Sequence, residues 1–387
     1  MERVYLDNAA TSWPKPDSVY QAVDRYQRQV GAAAGRGAYR NAELAAGVVL
    51  SARSYAANLL GVKDPHRIVW CANGTDALNL AIHGVLRPGD RAVTTVCEHN
   101  SVLRPLAACR ERMGVHVDYV DCDPQGYVDL DKFAKTLEQG PRLVVVAHAS
   151  NVTGAVQPIA AISELTHQAG ALLMVDAAQT VGHLPVDVEA LQIDLLAASG
   201  HKGLLGPLGV GLLYVRQGVE TRLDPFRQGG TGVESESEFQ PATLPDRYEA
   251  GNLNVPALAG FAAGCRFVSE RTPVALAAHQ QRLVRQLIDG IEQIPGVVVY
   301  GPSSYQPRVG VVSVAVENYD PQDVAAALDA SCGVECRAGL HCAPRMHAAL
   351  GTLGSGGLVR FSPGWATTAE QIAVALEGLA GLAAAGV

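Results

Sequence analysis

Short apolar runs alternate along the chain with longer stretches whose apolar positions recur at helical spacing. Ile68–Ala72, Arg91–Val96, His116–Val120, Arg142–Ala147, Leu172–Asp176, Leu195–Ser199 and Gly209–Val215 read as strands. Between them, Asp76–Val85, Leu103–Met113, Leu130–Leu137 and Ile159–Ala169 read as helices. Strands that are apolar on both faces and separated by helices predict an α/β domain, its mostly parallel sheet covered on both sides. Ligands of such a sheet collect at the carboxyl ends of the strands.

The pattern changes after about Pro256. Ala257–Gly290 reads as one long amphipathic helical run, and Val297–Tyr300 and Val309–Val316 alternate like strands of a half-exposed sheet. Helices over Pro321–Ala330 and from Thr368 onward complete a smaller α+β C-terminal unit. Glu234–Glu238, after Gly229-Gly230-Thr231-Gly232, reads as an acidic surface loop.

Composition narrows the class. With 387 residues, 48% hydrophobic and 18% charged, the chain can bury a sizeable core, which excludes intrinsic disorder. Thirty basic against 38 acidic residues give −8, the wrong sign for binding a phosphate backbone, so nucleic acid is not an expected partner. Eight cysteines with no CxxC spacing do not make a secreted disulfide scaffold. No apolar run is long enough to span a bilayer, and the N-terminus carries charges where a signal peptide needs an apolar core. The expectation is a cytoplasmic enzyme that binds no membrane.

Chemistry concentrates in Leu172–Gly206, where Asp176 ends one buried strand and Ser199-Gly-His-Lys202 closes the next. Taken alone, Asp176 reads sooner as a turn cap and Lys202 as a solvated loop lysine. Together they place a carboxylate and an amine in one crevice. Pyridoxal phosphate uses such a pair, the lysine as Schiff-base partner and the carboxylate to keep the pyridine nitrogen protonated. Asn73-Gly74-Thr75 joins a strand to a helix and suits a phosphate cradle, or simply an N-cap. There is neither a GxxxxGK[ST] loop nor a GxGxxG between strand and helix. His99, just past the strand Arg91–Val96, could stack on a planar cofactor and handle protons near neutral pH. Asn151 follows Leu143–Ala147, where its amide could meet a ring hydroxyl or a substrate carboxylate.

Cys332, Cys336, His341, Cys342 and His347 invite a metal reading, but their spacing matches no compact zinc site, and no metal is expected. Alternatively Cys342, on a Gly-containing loop with Arg337 and His341, is a thiolate nucleophile, since cationic neighbours lower a thiol's pKa. Arg360 reads either as a bidentate carboxylate clamp or as the partner of a surface acid.

These motifs, in order, resemble the class V aminotransferase family of fold-type I pyridoxal-phosphate enzymes, and within it cysteine desulfurases and selenocysteine lyases of the SufS-like group. The resemblance runs from Tyr5-Leu-Asp-Asn-Ala-Ala-Thr11 through Arg36-Gly37 and Gly74-Thr75 to Arg360-Phe-Ser362. Val175-Asp-Ala-Ala-Gln179, Ser199-Gly-His-Lys202 and Arg337-Ala-Gly-Leu-His-Cys342 carry most of it. It implies a large domain over residues 15–255 with a seven-stranded sheet, and a small domain from residues 1–14 and 256–387.

For the site, the resemblance implies that Lys202 bonds the cofactor, Asp176 pairs with the ring nitrogen and Gln179 lies near the phenolic oxygen. His99 would stack on the ring, and Gly74, Thr75, Ser199 and His201 would hold the phosphate. Asn252, where the family has Thr, would reach that phosphate from the partner subunit of a homodimer. Cys342 would accept sulfur, and Arg360 with Asn151 would bind the substrate carboxylate. The implied reaction takes L-cysteine to L-alanine with a persulfide on Cys342, which an acceptor protein then discharges. Another class V enzyme, such as a selenocysteine lyase, C–S lyase or aminotransferase, would use Lys202 without Cys342. Departures from the family are Trp365-Ala-Thr-Thr368, Ala-Pro-Arg-Met-His after Cys342 and the short insertion Gly354–Gly357.

Overall fold

The computed structural model describes residues 3–35 and 37–385. Arg36, one residue of the resemblance, lies outside the described residues. Strand β1 is Val4–Tyr5; β2 to β8 are Ile68–Cys71, Arg91–Thr95, His116–Val120, Leu143–Ala147, Leu172–Asp176, Leu195–Ser199 and Gly211–Val215. The second half adds β9 (Val297–Tyr300), β10 (Val312–Val316), β11 (Val334–Glu335), β12 (Arg337–Gly339) and β13 (Leu358–Phe361).

Seven strands form the large sheet in the order β2-β8-β7-β6-β5-β3-β4. Only β8 runs against the rest, antiparallel to both β2 and β7. The expected mostly parallel sheet is therefore present. Its strands feed two cores from alternate residues. Val144, Val146, Leu173, Val175 and Leu196 face one, while Leu143, Val145, Leu172, Met174 and Leu195 face the other. That explains runs of apolar residues without alternation. A four-stranded antiparallel sheet, β12-β13-β10-β9, forms the smaller unit, and β1 pairs in parallel with β11. The chain's first strand is thus held by its last third.

The run after Pro256 is two helices, Val255–Arg271 and Pro273–Ile291. Thr272 breaks it at φ 64°, and its side chain accepts the Ala275 N–H at 3.2 Å. Pro273 then supplies a first helical residue that needs no N–H partner. The first helix buries Leu258 and Phe261 in the large-sheet core; the second buries Leu283, Val284 and Leu287 in the smaller one. Helical periodicity continues across the break, which is why the sequence reads as one run. Strand β10 starts at Val312, because the Val309 N–H is already spent on the Gly154 carbonyl at 2.9 Å. The acidic stretch Glu234–Glu238 is exposed and carries no regular structure. Among the described residues no helix is long and apolar enough to cross a membrane.

Candidate active site

At the carboxyl ends of the central strands lies a cavity of about 390 Å³, within the range of about 300–1,000 Å³ typical of small-molecule sites. Asp176, the last residue of β6, and Lys202, three residues past β7, both line it. The strands are neighbours, with Asp176 opposite Ala197. A backbone donor, the Ala178 N–H, holds the Asp176 carboxylate at 3.0 Å. Burial pushes the Asp176 carboxyl up, opposed by that N–H and by Lys202. Burial also pulls the Lys202 ammonium down to about 8, with Asp176 resisting and Arg360 and Arg337 adding to the fall.

One wall is the start of the helix Gly74–Val85. Asn73 caps it, its Oδ1 accepting the Asp76 N–H at 2.9 Å, so the helix begins two residues earlier than its apolar periodicity suggests. A Cβ on Gly74 would meet Ser199 Oγ at 2.6 Å, so the absence of a side chain keeps this corner open. Thr75, Ser199 and His201 line the same cavity, and His201 Nδ1 is buried without a partner. A glycine-lined helix N-terminus, two hydroxyls and an orphaned ring nitrogen are donors suited to a phosphate. With Asp176 and Lys202 alongside, the residues present fit pyridoxal phosphate. The substitution Gly74→Ala should turn Ser199 Oγ out of this corner. Losing one hydrogen bond to a charged group, about 1.5–3 kcal/mol, should weaken pyridoxal phosphate binding about ten- to a hundredfold in equilibrium dialysis. Unchanged affinity would place the phosphate elsewhere.

His99 caps the helix Asn100–Met113 with its ring: Nδ1 accepts the Ser101 N–H at 3.0 Å. Ser101 Oγ lies 2.8 Å from that nitrogen and 2.7 Å from Thr75 Oγ1, linking ring and cradle. With Nδ1 accepting, the neutral ring keeps its proton on Nε2. Burial pulls the imidazolium down to about 4, helped by Lys202, Arg337, Arg360 and Arg104. The neutral ring thus presents its Nε2 N–H as a donor, held so by dry and cationic surroundings.

Gln179 lines the cavity, with Nε2 donating to the Ala9 carbonyl at 3.1 Å. Asn151 also lines it, but its Nδ2 donates to the His341 carbonyl at 2.7 Å, so the amide fastens the Cys342 loop. A second tie joins the Cys342 carbonyl to the Asn100 N–H at 2.7 Å, next to His99. His341 and Cys342 both sit at positive φ, 49° and 58°. Arg337 Nη2 lies 3.9 Å from Cys342 Sγ, although Cys342 does not itself line the cavity.

Arg360 is almost fully buried and outside the cavity lining. Its Nη2 meets Asp7 Oδ1 at 2.7 Å and its Nη1 donates to the Asn151 carbonyl at 3.1 Å. Asn252 is exposed beside a different cavity, lined by Gly37, Tyr39, Gly230 and Thr231, and this chain does not bring it to Lys202. The cysteines and histidines around Cys342 find separate partners: Cys332 Sγ donates to the Leu328 carbonyl, His341 Nε2 faces the Arg337 carbonyl and His347 Nδ1 meets Thr352 Oγ1.

Two features escaped the sequence reading. Lys15 Nζ donates to the carbonyl of His201 at 2.6 Å, and Ser12 adds its N–H at 3.1 Å and Oγ at 3.0 Å. The N-terminal segment thereby grips the peptide just before Lys202. Glu98, buried beside His99, accepts from Thr95 Oγ1 at 2.7 Å and the Ala147 N–H at 3.1 Å.

The chain matches the family model "Aminotransferase class-V" over residues 4–374. A probable cysteine desulfurase of Methanothermobacter thermautotrophicus is 36% identical over 98% of this chain and 96% of its own. A cysteine desulfurase of Escherichia coli O7:K1 is 32% identical over 88% of this chain and 84% of its own. Among solved structures, the apo cysteine desulfurase of Thermococcus onnurineus superposes with a TM-score of 0.93 at 32% identity, covering 99% of this chain and 95% of that one. With the model match running almost end to end and the fold shared, the chain belongs to the class V aminotransferase family.

Proposed function

We propose that the chain is a pyridoxal-phosphate-dependent cysteine desulfurase that converts L-cysteine to L-alanine and leaves the sulfur as a persulfide on Cys342. The observation that carries this reading is the cavity shared by Lys202 and Asp176, with the Cys342 loop tied to its wall at Asn151 and to Asn100 beside it. The names borne by its relatives support it.

When bound, pyridoxal phosphate supplies a protonated ring that draws electrons from the substrate's Cα. Gly74, Thr75, Ser199 and His201 would hold the phosphate, Asp176 would keep the proton on the ring nitrogen, and Gln179 would lie near the ring oxygen. His99 would stack on the ring and carry the protons of the substrate thiol and of the returning alanine carbon. The Lys202 amine, lowered by burial, takes the Cα proton and carries it onward. Cys342 Sγ then attacks the substrate sulfur. The new S–S bond forms as the Cβ–S bond breaks, and the electron pair left on Cβ takes a proton to give alanine. Arg360 and Asn151 recognise the substrate carboxylate, for which Arg360 exchanges Asp7 for substrate. The persulfide passes to an acceptor protein. Exposed Asn252 suits a homodimer in which each subunit completes the other's phosphate site, and a reducing cytoplasm suits eight free thiols. The division into residues 15–255 and 1–14 with 256–387 is part of the proposal, the helix Val255–Arg271 bridging the two.

A second reading rests on Cys342 lying outside the cavity lining: a lyase or aminotransferase that uses Lys202 alone. Adding L-cysteine and dithiothreitol to the holoprotein distinguishes them. Equal amounts of alanine and sulfide are the expected products; pyruvate in place of alanine, or transfer of the amino group, would overturn desulfuration.

A further inference from the structure

Two thiols stand side by side outside the proposed mechanism. Strands β3 and β4 pair in parallel up to Thr95 opposite Val120, and Cys97 and Cys122 each follow two residues later. Neighbouring strands lie about 4.8 Å apart, inside the Cα separation of about 4.4–6.8 Å that a disulfide needs. Both residues lie past the β3–β4 ladder: Cys97 is in a turn, its N–H on Thr95 Oγ1 at 3.1 Å, and Cys122 forms an isolated antiparallel bridge with Val128. Contact between the thiols pushes Cys97 up and Cys122 down. Cys97 is buried, its Sγ 3.5 Å from the Gly126 carbonyl, whereas Cys122 is half-buried and open to a small oxidant.

We propose that Cys97 and Cys122 are an oxidation site whose reversible disulfide switches the enzyme off. Hydrogen peroxide converts the Cys122 thiolate to a sulfenic acid, releasing hydroxide. The Cys97 thiol then attacks that sulfur and water leaves, so two thiols lose two electrons to one peroxide. A dithiol reductant reverses the bond by exchange. The bond reaches the site from two sides. Cys97 directly precedes Glu98 and His99, and taking its Sγ from Gly126 re-aims the turn that holds the His99 ring on Ser101. Cys122 Sγ lies 4.0 Å from Met346 Sδ, on the helix Pro344–Ala349 that follows Cys342. The loss of turnover rests on the proposed function; the bond itself does not.

The test uses Cys342→Ala holoprotein, which removes the thiol assigned to the reaction. After hydrogen peroxide and alkylation under denaturing conditions, peptide mapping with fragmentation should show Cys97 joined to Cys122, the link vanishing with dithiothreitol. Visible circular dichroism of the bound cofactor should change on oxidation and recover on reduction, and stay constant when Cys122→Ser is added. Recovery of Cys97 and Cys122 as separately alkylated or over-oxidised peptides would overturn the site. A link that leaves the dichroism untouched would overturn the switch.

Discussion

Substitution of Lys202 by Ala abolishes turnover of L-cysteine, by at least about 10³-fold, since a positioned acid–base group alone contributes about 10²–10⁴-fold. Lys202→Arg restores charge but not function, because a guanidinium cannot release its proton in the accessible range. Both variants should still take up pyridoxal phosphate at the Gly74 cradle, but a mild acylating reagent no longer finds a reactive amine there. In the parent protein without cofactor, acylation of Lys202 should follow a midpoint near the depressed value of about 8. A midpoint near 10.5, the ordinary value for lysine, would remove the dry cationic setting on which this account relies.

The same depression has a sign in stability. Between about 8 and 10.5 the unfolded chain holds a proton on Lys202 that the folded chain has lost, so stability rises with pH across this window. Below about 8 both states are protonated and the full cost of burying the ammonium is present. Cofactor-free Lys202→Met should therefore melt above the parent at pH 7, and the gap should shrink as pH approaches 10.5. A gap that widens instead would mean that Asp176 stabilises the ammonium more than burial opposes it. Such a buried cation is the kind of destabilising group a functional site retains.

Much of the site was legible because its residues end strands. The runs Leu172–Asp176 and Leu195–Ser199 have the same boundaries in sequence and structure, and they place Asp176 and Lys202 without any long-range information. The helix Arg40–Leu59 went unread: its buried face is mostly alanine, so apolar and polar positions contrast little. The Lys15 contact was invisible for another reason. It joins residues 186 positions apart, and in the sequence Lys15 is simply a lysine between two prolines. Likewise Arg360 and Asp7 meet only because β1 pairs with β11 and the chain after β13 returns beside Asp7. Motif order identified Arg360; only the fold identified its partner.

For Cys342→Ala, cofactor uptake should match the parent, because Cys342 is not part of the cavity wall. Alanine and sulfide production should nevertheless fall by at least about 10²-fold even with dithiothreitol present, since a free thiol at millimolar concentration cannot match the effective molarity of a tethered one. The tether is held under strain. His341 and Cys342 occupy left-handed backbone at about 1–2 kcal/mol each, maintained by Asn100 and by Asn151. Arg337→Ala, which removes the guanidinium 3.9 Å from Sγ, should give an intermediate loss of alanine and sulfide production. If Cys342→Ala instead turned over L-cysteine at the parent rate, the thiol would be a bystander. Lys202 and Asp176 would keep their roles, and the lyase reading would replace desulfuration.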